Sequence, residues 1–98
     1  TTSAKLKEGI GFDTVGAALE EAYANAPFVR LLGPGACADT KNVTRTNFID
    51  IGWHHDVRTG RILLTSAEDN LGKGAGAQAV QSFNLVFGLP ETTGLHSA

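Results

Sequence analysis

The sequence predicts an α+β fold, a mixed and mostly antiparallel sheet with flanking helices. Three observations predict it. Ile49, Ile51, Trp53 and Val57 alternate with Asp50, His54 and Asp56, the period of a strand with one buried and one wetter face. Val15, Ala18, Leu19, Ala22 and Tyr23 recur at helical spacing. Gly76, Ala79, Val80, Phe83, Val86 and Phe87 do so again, as one continuous apolar stripe.

The elements follow in order. Residues 1–7 are short and threonine-rich and suit an edge strand, which Gly9 and Gly11 interrupt. Asp13 is the expected N-cap of the first helix, because its carboxylate can accept from free N–H groups of the first turn. Gly16 weakens that helix by about 1 kcal/mol relative to Ala. Asn25 and Pro27 end it. Residues 28–32 read as a short strand containing Arg30, and Gly33-Pro34-Gly35 as a turn. Residues 43–57 carry the strongest strand pattern. Arg58-Thr59-Gly60 turns the chain into a returning strand at residues 61–67. Residues 68–76 form a glycine-rich loop, and the last helix starts near Gly74. Gly88 and Pro90 stop it, and residues 91–98 read as a tail.

A chain of 98 residues is one small unit, so residues 1–98 are read as a single partial domain. Its core is thin, since a chain this short buries only about 60–65% of its unfolded surface. The net charge of −2 argues against a nucleic-acid partner, which would require a basic face. No apolar run reaches the ~18–20 residues that cross a bilayer, so no membrane association is expected. Cys37 is the single cysteine and excludes an internal disulfide; a reducing, cytoplasmic setting fits.

Several residues bear on chemistry. Gly72, Gly74 and Ala77 have the spacing G-x-G-x-x-A, and N–H groups at a helix start attract anions. A self-contained dinucleotide site is not expected. The loop before Gly72 is too long for the tight turn, and no further strand carries an acidic residue for a ribose. A helix cap with close backbone packing, or a cofactor contact shared with another domain, remain. Lys73 is a phosphate contact or a solvated loop lysine. Cys37 lacks a recognisable base nearby in sequence and reads as an ordinary loop or core cysteine. His54 and His55 are adjacent on a strand and face opposite ways, and His96 lies in the tail, so no metal site is expected. Residues 40–47 combine Lys41 and Arg45 with hydroxyl and amide groups. They bind a carboxylate or phosphate, or form a polar approach to the strand.

At this point the residues resemble a known family. Residues 69–81, then Asn84-Leu85 and residues 87–95, look like the C-terminal end of the N-acetyl-gamma-glutamyl-phosphate reductases. Weaker matches run upstream in order. They are Tyr23 with Pro27-Phe28-Val29-Arg30, Thr40-Lys41-x-Val43, Asn47, Asp50-Ile51-Gly52 and Arg58-Thr59-Gly60-Arg61. The resemblance implies part of a catalytic and dimerisation domain of the glyceraldehyde-3-phosphate/aspartate-semialdehyde dehydrogenase type. It implies NADPH-dependent reduction of N-acetylglutamyl phosphate to the semialdehyde, in arginine biosynthesis. In that chemistry a cysteine thiolate attacks the acyl phosphate, hydride reduces the thioester, and a histidine serves as acid and base.

The chain departs from that family where the chemistry lies. The dinucleotide fingerprint, the Gly-Cys-aromatic nucleophile motif and the histidine segment are absent from these residues, so no catalytic residue is assigned and the isolated chain is expected to be inactive. What the resemblance carries over is a cofactor contact at Asn70 with Gly72, Lys73 and Gly74, the cofactor being NADP in the complete enzyme. Lys41 and Arg45 become candidate substrate-side residues, although small residues are more usual near Arg45. The implied partners are the rest of the reductase chain, with its dinucleotide-binding domain, and further copies in a homo-oligomer. A freestanding assembly module and a lysine-pathway aminoadipyl-phosphate reductase are the alternatives.

Overall fold

The computed structural model describes residues 1–95; His96 lies outside the described residues. The elements are β1 (Thr2–Lys5), α1 (Asp13–Tyr23), β2 (Val29–Pro34), a 3-10 turn (Thr40–Asn42), β3 (Ile49–Asp56), β4 (Arg61–Glu68), a π-helical turn (Gly72–Gly76) and α2 (Ala77–Val86). The strands form one sheet in the order β1-β4-β3-β2. β1 pairs antiparallel with β4, and β4 antiparallel with β3, while β2 runs parallel to β3. The expected mixed, mostly antiparallel α+β arrangement is therefore present, and the edge strand expected within residues 1–7 is Thr2–Lys5.

The hairpin sets the frame. Register pairs Trp53 with Leu64 and His55 with Ile62, which places the odd residues of β3 on one face. Ile51, Trp53 and Ile62 are buried there. α1 covers part of this face: a Cβ added at Gly16 would lie 3.3 Å from the Trp53 ring. The glycine that weakens the helix thus lets it approach the tryptophan. Phe12 stacks on His55 with ring centroids 5.0 Å apart.

Four local expectations are corrected. Asp13 is the first residue of α1 and not its cap; the cap position is Phe12, which makes no capping bond. Instead the Thr14 hydroxyl donates to the Gly11 carbonyl at 2.7 Å, tightening the entry from below. β3 starts at Ile49 and not near residue 43, because Val43, fully buried, sits in a turn after Asn42. Val57 is 81% exposed, since the chain has left the strand for the hairpin turn. Asp50, expected on the wetter face, is 2% exposed.

The last correction has a visible cause. Residues 35–46 cross the even face of β3. The Gly35 N–H donates to the Trp53 carbonyl at 2.8 Å, and the Ala38 N–H to the Thr65 hydroxyl at 3.0 Å. A Cβ at Gly52 would stand 2.0 Å from the Ala36 carbonyl oxygen, so only glycine admits this crossing. Beneath it Arg30 and Asp50, opposite in register, form a two-pronged pair at 2.6 and 3.0 Å. The whole is a slab of 44 × 28 × 16 Å with a radius of gyration of 15.1 Å. A compact chain of about 100 residues has a radius near 13 Å, so the slab is open and thin.

Candidate functional site

Two stretches that are far apart in sequence meet at Asp69. β4 ends at Glu68, and Asp69 then organises the turn that follows. One carboxylate oxygen accepts the Leu71 N–H at 3.4 Å, the side-chain-to-backbone closure usual for an aspartate at a turn. The other accepts the Arg45 N–H at 3.0 Å. The Asp69 carbonyl accepts the Gly74 N–H at 2.9 Å. A Cβ on Gly72 would lie 2.9 Å from the Thr46 carbonyl oxygen, so the loops touch through backbone. The polar 40–47 stretch and the glycine loop are thus two sides of one place. Reading the sequence alone did not single out Asp69, although its position two residues before Leu71 marks such a turn.

Arg45 is the one non-glycine residue with positive φ among the described residues, at 63°. That conformation costs a non-glycine residue about 1–2 kcal/mol, and the Asp69 bond to its N–H helps to hold it. Arg45 is exposed, as is Lys41 on the 3-10 turn. Lys41 lies 4.0 Å from the Asp39 carboxylate, both well exposed, which is a weak pairing. The Asp39 carboxylate caps the turn by accepting the Lys41 N–H at 3.0 Å.

On the other side Asn70 is exposed at the crest of the loop, next to Leu71, which is 82% exposed. Gly72, Lys73 and Gly74 belong to the π-helical turn. The Gly74 N–H is already bonded, so it is not a free anion donor. Lys73 is turned inward. Its ammonium donates to the Gln81 side-chain oxygen and stands 5.6 Å from the Phe28 ring centre. Gln81 in turn donates to the Glu91 carboxylate at 2.5 Å. Asn84, 2% exposed, donates to the Glu91 and Thr93 carbonyls, each at 2.9 Å. These bonds fix the glycine turn, α2 and the residues after it as one unit. Between this unit and the sheet lies a cleft of about 480 Å³, lined by Tyr23, Val29, Ile49, Ile51, Glu68, Lys73, Gly74 and Gln78.

The structure also gives Cys37 a neighbour that its sequence context does not. Its Sγ lies 3.1 Å from Nε2 of His54, seventeen positions on. His54 and His55 do face opposite ways, His54 toward the crossing segment and His55 toward Phe12.

Comparison with known proteins was consistent across the chain. The semialdehyde dehydrogenase dimerisation domain matches residues 1–70. The N-acetyl-gamma-glutamyl-phosphate reductase of Akkermansia muciniphila is 64% identical over 95 residues, 97% of this chain and 27% of that protein. The reductase of the same name from Lachnospira eligens is 44% identical over 98 residues, 100% of this chain and 28% of the relative. That of Streptomyces coelicolor is 47% identical over 95 residues, with 97% and 28% covered. The chain therefore spans just over a quarter of the length of these relatives.

Proposed function

The chain belongs to the semialdehyde dehydrogenase dimerisation-domain family, and from that premise we propose that it is the C-terminal part of a reductase acting on N-acetylglutamyl 5-phosphate. The observation that carries this reading is the 64% identity to a protein of that name across nearly the whole chain. The complete protein would take hydride from NADPH and deliver the semialdehyde, within arginine biosynthesis in the cytoplasm.

In this reading residues 1–98 are one partial domain, and the loop after β4 forms one wall of the cofactor site. Asn70 fits the part, since it is exposed on a loop whose Leu71 and Gly74 N–H groups are bonded to Asp69. It would meet the nicotinamide carboxamide. Gly72 and Gly74 contribute closeness of backbone. Lys73 supports the wall from behind through Gln81. Lys41 and Arg45 stand on the opposite side of Asp69, where two exposed cations suit the anionic acyl phosphate. The partners are the remainder of the reductase chain, with its dinucleotide-binding domain, and a second copy in a homo-oligomer. NADPH would supply the hydride when bound, and the loop carrying Asn70 would help to position it.

The test is a pair of assays. The complete protein is expected to oxidise NADPH with N-acetylglutamyl phosphate, and the isolated chain to turn over nothing. Turnover by the pure isolated chain refutes the fragment reading. A clear preference of the complete protein for an aminoadipyl phosphate transfers it to the lysine-pathway reaction. A complete protein that reduces neither substrate leaves an assembly module in its place.

A further inference from the structure

We propose that Cys37 and His54 form a thiol-disulfide exchange site, at which Cys37 takes up a small disulfide as a mixed disulfide. The proposal stands apart from the reductase reading, whose nucleophile belongs to a Gly-Cys-aromatic motif; Cys37 lies between Ala36 and Ala38.

The backbone sets where the two side chains meet. The chain is fastened to the sheet on both sides of Cys37. Gly35 is bonded to Trp53 at 2.8 Å and Ala38 to Thr65 at 3.0 Å. Between these anchors the Ala36 carbonyl rests on Gly52, where no side chain would fit. His54 is two residues beyond Gly52 on the same face of β3. The anchors therefore present Sγ to Nε2 at 3.1 Å, within reach for proton transfer. The thiol is exposed, so a reagent can reach it. Nucleophile and base within hydrogen-bond reach are the arrangement that activates a cysteine.

The step balances without an added oxidant. His54 Nε2 accepts the thiol proton, and the Cys37 thiolate attacks one sulfur of the disulfide. A Cys37–sulfur bond forms as the reagent's own sulfur–sulfur bond breaks. The departing thiolate recovers the proton from His54 and leaves as a thiol. Cys37 is oxidised by the half of the disulfide that is reduced.

The experiment treats the full-length protein with cystamine at neutral pH. Mixed disulfide is followed by mass spectrometry on the tryptic peptide of residues 31–41, so other cysteines do not interfere. Base assistance is commonly worth 10²–10⁴-fold; with an exposed and flexible reagent, we expect the native rate to exceed that of the urea-unfolded protein by at least about tenfold. His54→Gln, checked for its fold by circular dichroism, should lower the native rate by a similar factor. A native rate at or below the unfolded one overturns the proposal, and so does a folded H54Q protein that reacts like wild type. The comparison of native and unfolded wild type stands even where the variant does not fold.

Discussion

Arg30→Met should cost the domain more than Asp50→Asn, although both changes break the same ion pair. The guanidinium grips the carboxylate with Nε to Oδ1 at 2.6 Å and the second bond at 3.0 Å. It also donates to the Asn42 carbonyl at 3.0 Å and lies 4.3 Å from the centre of the Phe48 ring. The two partners are unequally buried. The Arg30 side chain is 40% exposed and that of Asp50 is 3% exposed. Removing Arg30 leaves without its partner a carboxylate that is 3% exposed in the intact pair, a loss of about 3–5 kcal/mol for a buried pair. The lower end applies here, because the space left by Arg30 opens to solvent. Removing the charge from Asp50 leaves a guanidinium that water can reach, and costs about 1–2 kcal/mol. Unfolding of the chain in urea, followed by fluorescence of the single tryptophan, Trp53, reads both. With a slope of about 1.5 kcal/mol/M, Arg30→Met should lower the midpoint by roughly 2 M and Asp50→Asn by about half as much or less. Equal midpoints, or a larger loss for Asp50→Asn, would refute the reasoning that burial of Asp50 sets the cost.

Three further outcomes follow from the same geometry. Gly52→Ala should destabilise by at least about 2 kcal/mol, because its Cβ would stand 2.0 Å from a carbonyl oxygen held on both sides; a midpoint within about 0.5 kcal/mol of wild type counts against the crossing. Arg45→Gly should raise stability by about 0.5–1 kcal/mol by relieving the positive φ, while in the proposed reductase it should raise KM for the acyl phosphate and leave that for NADPH unchanged. Asn70→Ala in the proposed reductase should slow hydride transfer and weaken NADPH more than it weakens the acyl phosphate; unaltered cofactor affinity and hydride transfer would sink the assignment.

Local pattern made the hairpin legible, because alternation on both sides of Arg58-Thr59-Gly60 is a short-range signal. The same alternation misplaced Asp50. A two-residue period reports which residues share a face, and says nothing of what lies over that face. Here residues 35–46 lie over it, and the anchors of Ala36 at Gly52 and of Ala38 at Thr65 are sixteen and twenty-seven positions away. The Cys37–His54 contact and the Asp69–Arg45 bond were hidden for the same reason, each closing a long loop. The strand at Arg30 was visible as a strand, but its parallel pairing with β3 is a long-range register that no neighbouring residue encodes. The loop residues Asn70 and Gly72 to Gly74 stood out by composition. Their place beside Arg45 became visible only with the fold.

The helical stripe of α2 was read correctly as a pattern, yet its burial in this structure is inverted. The buried residue of the helix is the polar Asn84. Phe83 is 54% exposed, Val86 76% and Phe87 65%, with the two aromatic rings 4.5 Å apart on the surface. Fully burying one such side chain is worth about 1.5–3 kcal/mol. At these exposures the three together forgo roughly 3–6 kcal/mol, which reaches the lower end of the whole stability of an ordinary small domain, about 5–15 kcal/mol. Asn84 accounts for the inversion, because its two bonds to the carbonyls of Glu91 and Thr93 fix the rotation of the helix with the stripe outward. The helix is therefore held ready for a surface that the described residues do not supply. The relatives are more than three times as long as the stretch they share with this chain, which leaves ample protein to provide it. In the proposed reductase that surface is the dinucleotide-binding domain, and the helix would lock it against the loop carrying Asn70. Phe83→Asp with Phe87→Asp should then weaken NADPH binding by the complete protein by about tenfold, the equivalent of 1.4 kcal/mol. The isolated chain should at the same time lose its binding of a hydrophobic dye and keep its urea midpoint. Unchanged NADPH affinity would mean that the stripe faces some other surface, and a lowered urea midpoint would mean that it serves the fold of this domain alone.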